Sequence, residues 1–271
     1  MVSDTLATLN WLVEAGADEA IADEPVNRLA AQVPPKPAAA AAVPMAVPRP
    51  AAARVPAPIS GDMIGDAQTA AAAATSLAEL KAALEAFEGC GLKRTATNTV
   101  FADGVPQGGI LLIGEAPGRD EDRVGKPFVG RAGQLLDKML ASIGLDRATN
   151  AYITNVINWR PPDNRDPTPE EAASCLPFLR RHIELADPQV IILLGAVAAR
   201  HVVGVSEGIM KLRGRWLEYR VGSSMVPLMP TLHPAYLLRQ PAHKKLAWRD
   251  LQAVRDKMQV LGLPRNPARS T

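Results

Sequence analysis

Four short apolar runs, at residues 110–113, 151–156, 190–194 and 228–232, are separated by stretches with helical periodicity, and that alternation restricts the chain to few architectures. None of the runs shows the polar alternation of a half-exposed strand, so each reads as a strand covered on both faces, as in a parallel sheet. Between them, Leu135, Leu136, Met139, Leu140 and Ile143 repeat at helical spacing and stop at Gly144. Thr168, Pro169 and Glu171 stand in the order of an N-cap, a first-turn proline and an N3 acid. A helical AVAARHVV segment follows the third run, and Ala247, Leu251, Val254 and Met258 mark the apolar face of a last helix. Strands alternating with helices predict an α/β fold, a three-layer α/β/α sandwich with a mostly parallel four-stranded sheet.

In an open α/β sheet, ligands bind beyond the carboxyl ends of the strands. The first run leads into a glycine-rich, acid-bearing turn, GEAPGRDED, and four groups fall at strand ends or in the loops just beyond them: Glu115, Phe128, Asn155 and His233. Each has a plain alternative: a solvated turn acid, a core plug, a cap and an ordinary loop histidine. Their convergence from four separate segments is the functional signal.

The apolar runs fix where the domain begins. A capping pattern at Ser76 and Glu79 opens a helix whose stripe is Leu77, Leu80, Leu84 and Phe87. Before it, residues 34–58 are dominated by Ala, Pro and Val, too poor in large apolar groups to build a core. The expected organisation is an amphipathic and acidic segment at 1–32, a linker at 33–70, one domain at 71–262 and a flexible tail at 263–271. Residues 1–24 hold six acids and no Lys or Arg, so a formal charge of +2 for the whole chain becomes +8 for the rest. That balance permits a polyanionic partner. Two cysteines, Cys90 and Cys175, make neither a disulfide framework nor a zinc spacing by themselves. With no apolar run near the roughly 20 residues of a membrane helix, and no signal-peptide pattern at the N-terminus, a soluble, cytoplasmic protein is expected.

The motifs GEAPGRDED, GKPFVGRAG, TNVINWRPP, TPEE and HPAYLL occur in the order and spacing of the family 4 uracil-DNA glycosylases, and the chain resembles that family over roughly residues 80–260. The resemblance implies an enzyme that turns uracil out of DNA and hydrolyses its N-glycosidic bond, leaving an abasic site. It implies catalytic roles for Glu115, which orients water or stabilises the oxocarbenium-like sugar, and for His233, which donates to uracil O2 as negative charge grows there. Uracil binding falls to Ala116 with its neighbouring backbone, Phe128, Asn155 and His233. Asn155 offers the donor and acceptor that match uracil O4 and N3–H and mismatch cytosine. Arg239, Lys244, Lys245 and Arg249 follow HPAYLL and are expected to contact DNA phosphates. The expected partner is uracil-containing DNA; a monomer is expected, and the partner of the N-terminal arm is left open.

The usual family members carry a four-iron, four-sulfur cluster on four cysteines. The matching positions here are Phe87, Cys90, Trp159 and Cys175. Neither a phenyl nor an indole binds iron, so no cofactor and no metal are expected, with Phe87 and Trp159 packing into the cluster's volume. NRDPTPEE lacks the Arg-Arg-Ile-His insertion of a branch that traps its product covalently, so turnover is expected. The motif positions contain no amine for a Schiff base, which predicts a monofunctional enzyme, although Lys126 lies close in sequence. Two alternatives stay open: a damaged-DNA-binding module of the same fold without turnover, and a nucleotide or nucleoside hydrolase.

Overall fold

The computed structural model describes residues 61–266. The expected amphipathic element at 4–15, the acidic segment and most of the Ala/Pro-rich stretch lie outside the described residues.

The four apolar runs form the parallel heart of the sheet. Its strands are β1 (Asp103–Gly104), β2 (Ile110–Gly114), β3 (Ala151–Asn155), β4 (Val190–Leu194), β5 (Leu217–Val221) and β6 (Ser224–Thr231), in the order β1-β3-β2-β4-β6-β5. β2 pairs in parallel with both β3 and β4, and β4 with β6. The sheet nevertheless has six strands rather than four, because β1 and β5 add antiparallel edges to β3 and β6. β1 is two residues long and has no periodicity to read. In β5 the charged Glu218 and Arg220 are exposed and alternate with less exposed residues, as suits an edge strand.

The helices are α1 (Gly61–Ala73), α2 (Leu77–Ala86), α3 (Arg119–Val124), α4 (Arg131–Ala141), α5 (Pro169–Ala186), α6 (Ala196–Val203), α7 (Ile209–Leu212), α8 (Pro234–Arg239) and α9 (Lys244–Val260). Successive strand residues point to opposite faces, which is why both layers can be apolar. On one face Leu111, Ile113, Ile191 and Leu193 pack with Phe178 and Ile183 of α5 and with Leu80 and Leu84 of α2. On the other, Ile110, Leu112 and Ile192 pack with Leu136 and Leu140 of α4 and with Leu251, Val254 and Met258 of α9. Every residue of β2 and β4 is buried. Each large apolar side chain so placed contributes roughly 1.5–3 kcal/mol, so the central strands dominate stability.

The caps act as their sequences indicate. The Glu171 N–H donates to Thr168 Oγ1 at 3.2 Å while the Thr168 N–H donates to Glu171 Oε2 at 2.8 Å. The Glu79 N–H donates to Ser76 Oγ at 3.2 Å, but the Glu79 carboxylate turns to Thr75 instead of Ser76. The domain starts earlier than the Ala-rich composition suggested: α1 falls within the expected linker, and Ala67 and Ala71 are buried. Small alanines let α1 lie close against the layer built by α5, and Arg181 of α5 holds the end of α1 by donating twice to the Ala74 carbonyl, at 2.8 and 3.0 Å. Part of the expected tail is also anchored. Leu263 is buried, Asn150 Nδ2 donates to the Pro264 carbonyl at 3.1 Å, and the Asn266 N–H donates to the Gly144 carbonyl at 2.9 Å.

Candidate active site

β2 has β3, the next parallel strand in sequence, on one side and β4 on the other, so the chain reverses its winding direction there. Such a switch point opens a crevice beyond the carboxyl ends of the two strands. Glu115 and Ala116 leave β2 directly into it, and Gly195 leaves β4 beside it.

The loop after β2 is held by its own acids. Glu121 Oε1 accepts from the Val129 and Gly130 N–H groups, both at 2.9 Å. Asp122 is buried and accepts from the Thr97 and Asn98 N–H groups at 2.8 and 3.0 Å. These acids, read from sequence as part of a solvated turn, instead tie the loop to the segments on either side of it. They are carried by α3, a short helix inside what the glycine spacing suggested was all loop.

Phe128 is buried, with a backbone φ of +54° that a bulky residue adopts only under constraint. Arg147 supplies the constraint: its Nη1 donates to the Pro127 carbonyl at 3.1 Å and its Nη2 to the Phe128 carbonyl at 2.9 Å. Asp103 and Asp137 fix that guanidinium at 3.1 and 2.7 Å. Gly133 completes the seat, since a Cβ there would lie 1.8 Å from the Phe128 carbonyl oxygen. Nothing in the sequence marked Arg147 as part of the site; its partners lie 10 to 44 residues away.

Phe128, Asn155 and His233 converge over Gly114. A Cβ on Gly114 would stand 2.4 Å from Asn155 Oδ1 and 2.6 Å from the Phe128 ring, so only glycine leaves room for both. The Phe128 and His233 rings lie 5.5 Å apart. Asn155 is 2 % exposed, and its Oδ1 is a buried side-chain acceptor without a partner among the described residues. An unsatisfied buried acceptor costs about 1–3 kcal/mol, a cost that a ligand donor would remove.

His233 caps α8. Its Nδ1 accepts from the Ala235 N–H at 3.1 Å, which leaves the proton of the neutral ring on Nε2. Burial, reinforced by the positive charge of Arg239, pushes its pKa down to about 4. The ring is therefore a neutral Nε2–H donor at neutral pH. Its loop is braced from below: Thr231 Oγ1 donates to Asp250 Oδ2 at 2.7 Å, and Asp250 pairs with Arg213.

Glu115 is half-buried, and burial, with the nearby negative charge of Asp166, raises its carboxyl above the ordinary value; Arg200 opposes the shift. Asp166 comes from the Pro-rich loop after β3 and is a second neighbour that sequence reasoning missed. If the carboxylate form of Glu115 is the working one, activity falls as pH drops through its raised pKa. Asp166→Asn removes one cause of the rise and should move the acid limb of the single-turnover rate to lower pH. A limb that stays in place in a pH series with the variant would show that another group sets it.

Lys126 lies in an ion pair with Asp103 at 3.0 Å. Arg239, Lys244, Lys245 and Arg249 are all exposed, at the end of α8 and on the first turns of α9, and form no ion pair among the described residues.

An open parallel α/β sheet whose switch-point crevice holds a carboxylate, an aromatic face, an unpartnered amide and a neutral histidine defines a protein built to grip and act on a planar polar ring. The chain belongs to the uracil DNA glycosylase superfamily, whose family model matches residues 101–252. Within it the similarity is to type-4 enzymes. The type-4 uracil-DNA glycosylase of Thermotoga maritima is 44% identical over 156 residues, covering 57% of this chain and 79% of that protein. That of Archaeoglobus fulgidus is 45% identical over 156 residues, 56% of this chain and 78% of its own length. The Sulfurisphaera tokodaii enzyme is 36% identical over 186 residues, covering 67% and 84%.

The four positions that match the cluster ligands of such enzymes do not fit a cluster. Phe87 and Trp159 belong to the same apolar core as Cys90 and Cys175. The Phe87 ring packs 5.1 Å from Phe178, and Trp159, 1 % exposed, donates from Nε1 to Thr99 Oγ1 at 3.0 Å. The two buried thiols hydrogen-bond each other, and that bond together with full burial holds Cys175 well above the ordinary thiol range. Two thiols beside two aromatic rings supply half of the donors that a four-iron cluster needs.

Proposed function

We propose that the chain extrudes uracil from DNA and hydrolyses its N-glycosidic bond, leaving an abasic site, as a monofunctional glycosylase. The observation that carries this reading is the unpartnered Asn155 Oδ1 beside the Phe128 and His233 rings over a bare Gly114. A flipped uracil stacks on Phe128, gives its N3–H to Asn155 Oδ1 and takes a hydrogen bond from Asn155 Nδ2 at O4. The neutral His233 donates from Nε2 to O2, where negative charge accumulates as the bond to C1′ breaks. Glu115 stabilises the positive charge developing on the sugar and orients water. Ala116 contributes the backbone that closes the crevice. Arg239, Lys244, Lys245 and Arg249 hold the flanking phosphates, and the protein acts as a monomer. No helix among the described residues is long and apolar enough to cross a membrane, and two free thiols agree with a cytoplasmic site. The direct test is incubation with oligonucleotides carrying uracil opposite each base, followed by cleavage at abasic sites. Binding without cleavage would favour the non-catalytic module, and activity confined to free deoxyuridine nucleotides the hydrolase.

We further infer that this enzyme works without an iron-sulfur cluster, its place taken by Phe87, Trp159 and the paired thiols. Protein purified anaerobically is expected to be colourless and iron-free. Broad visible absorption with about four irons per chain would overturn that reading.

A further inference from the structure

Away from the crevice, α4, α8 and α9 leave a groove of about 220 Å³ on the outer side of their layer. Leu135 and Met139 of α4, Leu237 of α8 and the indole of Trp248 on α9 form its apolar wall, and Lys138 and Lys244 stand over it from two different helices. Trp248 is 40 % exposed. Neither lysine has a carboxylate partner within ion-pair distance among the described residues, and no acidic residue lines the groove. Lys244 and Trp248 are four residues apart, so they share one side of α9. Leu237 lies four residues along α8 from its N-cap, His233, a rise of about 6 Å. Stacked nucleotides advance about 3.4 Å each along a strand, which sets the groove a few nucleotides from a base held at His233.

An open aromatic face between unpaired ammonium groups is what proteins offer to unpaired nucleotides: the ring takes the base and the cations take the phosphates. The volume suits one planar ring system. A partner helix would instead need anchors spaced over several turns. We propose that this groove is a second nucleotide subsite, which takes an unpaired base flanking the extruded uracil against Trp248, with its neighbouring phosphates on Lys138 and Lys244. The subsite rests on the glycosylase reading and deepens it: it makes single-stranded DNA a favoured substrate, because a base in a duplex cannot leave its stack to reach the indole without added cost.

The test uses the full chain and a fluorescein-labelled dodecamer of deoxythymidine, which contains no uracil. Trp248→Ala is expected to weaken binding of this strand about five- to a hundred-and-fifty-fold, and Trp248→Phe to retain most of the affinity. Lys138→Gln and Lys244→Gln should each lower the slope of log affinity against log salt by about 0.7. Binding of a uracil-free duplex should change little with Trp248→Ala, and single-turnover excision at saturating enzyme should not change. Unaltered single-strand affinity in Trp248→Ala, or an equal loss on duplex, would overturn the proposal. So would Trp248-dependent binding of an acidic Leu/Glu amphipathic peptide with no Trp248 effect on the dodecamer, which would make the groove a protein-docking site. If the parent chain fails to excise uracil while Trp248 still governs single-strand binding, the glycosylase reading fails and the subsite stands.

Discussion

Single-turnover excision of uracil is expected to fall about a hundred- to a thousand-fold in His233→Ala, while affinity for uracil-containing DNA stays within a few-fold of the parent. The separation follows from where the histidine acts. In the bound ground state uracil O2 is a neutral carbonyl, and a hydrogen bond to it replaces one that water would make. As the bond to C1′ breaks, negative charge collects on that oxygen and the same donor becomes worth several times more in a site closed to water. A neutral ring suits the task, and two features keep it neutral: burial, which pushes its pKa to about 4, and the Ala235 N–H, which occupies Nδ1. Because the ring carries no proton to lose near neutrality, its contribution should be flat from pH 8 down to pH 5. The measurement is the single-turnover rate beside a binding isotherm on the same oligonucleotide. Equal losses in rate and affinity would mean that His233 grips the base without favouring the departing anion.

Substitution at Asn155 should have a comparable effect with a different signature. Asn155→Asp keeps the shape but replaces the amide donor with a second acceptor, so uracil O4 would face a carboxylate. Uracil excision is expected to fall by at least about a hundred-fold, since a polar site left mismatched in a dry pocket discriminates by factors up to about 10⁴–10⁵. Cytosine, whose amino group needs an acceptor, should gain relative to uracil. The stability readout runs the other way. Asn155 Oδ1 already carries an unsatisfied position in the free protein, so Asn155→Ala should melt close to the parent while losing excision. A variant that loses both activity and several degrees of melting temperature would show that the amide is structural.

Much of the fold was legible because buried parallel strands announce themselves. The runs at 110–113, 151–156, 190–194 and 228–232 have no other use for so much unbroken apolar surface, and they became the parallel strands β2, β3, β4 and β6. The alternating Leu217, Tyr219 and Val221 of β5 carried a readable signal too, but an edge strand with charges on its outer positions competes poorly with the four apolar runs. α1 was masked by its composition, since alanines poor in burial energy on their own become core only when another helix lies close enough to need small residues.

The site divides along the same line. Sequence alone named Glu115, Phe128, Asn155 and His233, because strand order and turn chemistry place strand-end residues on one edge. It could not supply Arg147, Asp166 or the Asp250–Arg213 pair. Those act through contacts 10 to 44 residues apart in the chain, and no local period records such a contact. What the sequence determined by itself was which side chains reach the crevice: period-two strands and glycine-broken turns are local properties. What only the tertiary structure decided was their state. Burial and neighbouring charge make His233 neutral, raise Glu115, leave Asn155 unsatisfied and hold Phe128 at a positive φ, and each depends on what packs around a residue rather than on what precedes it.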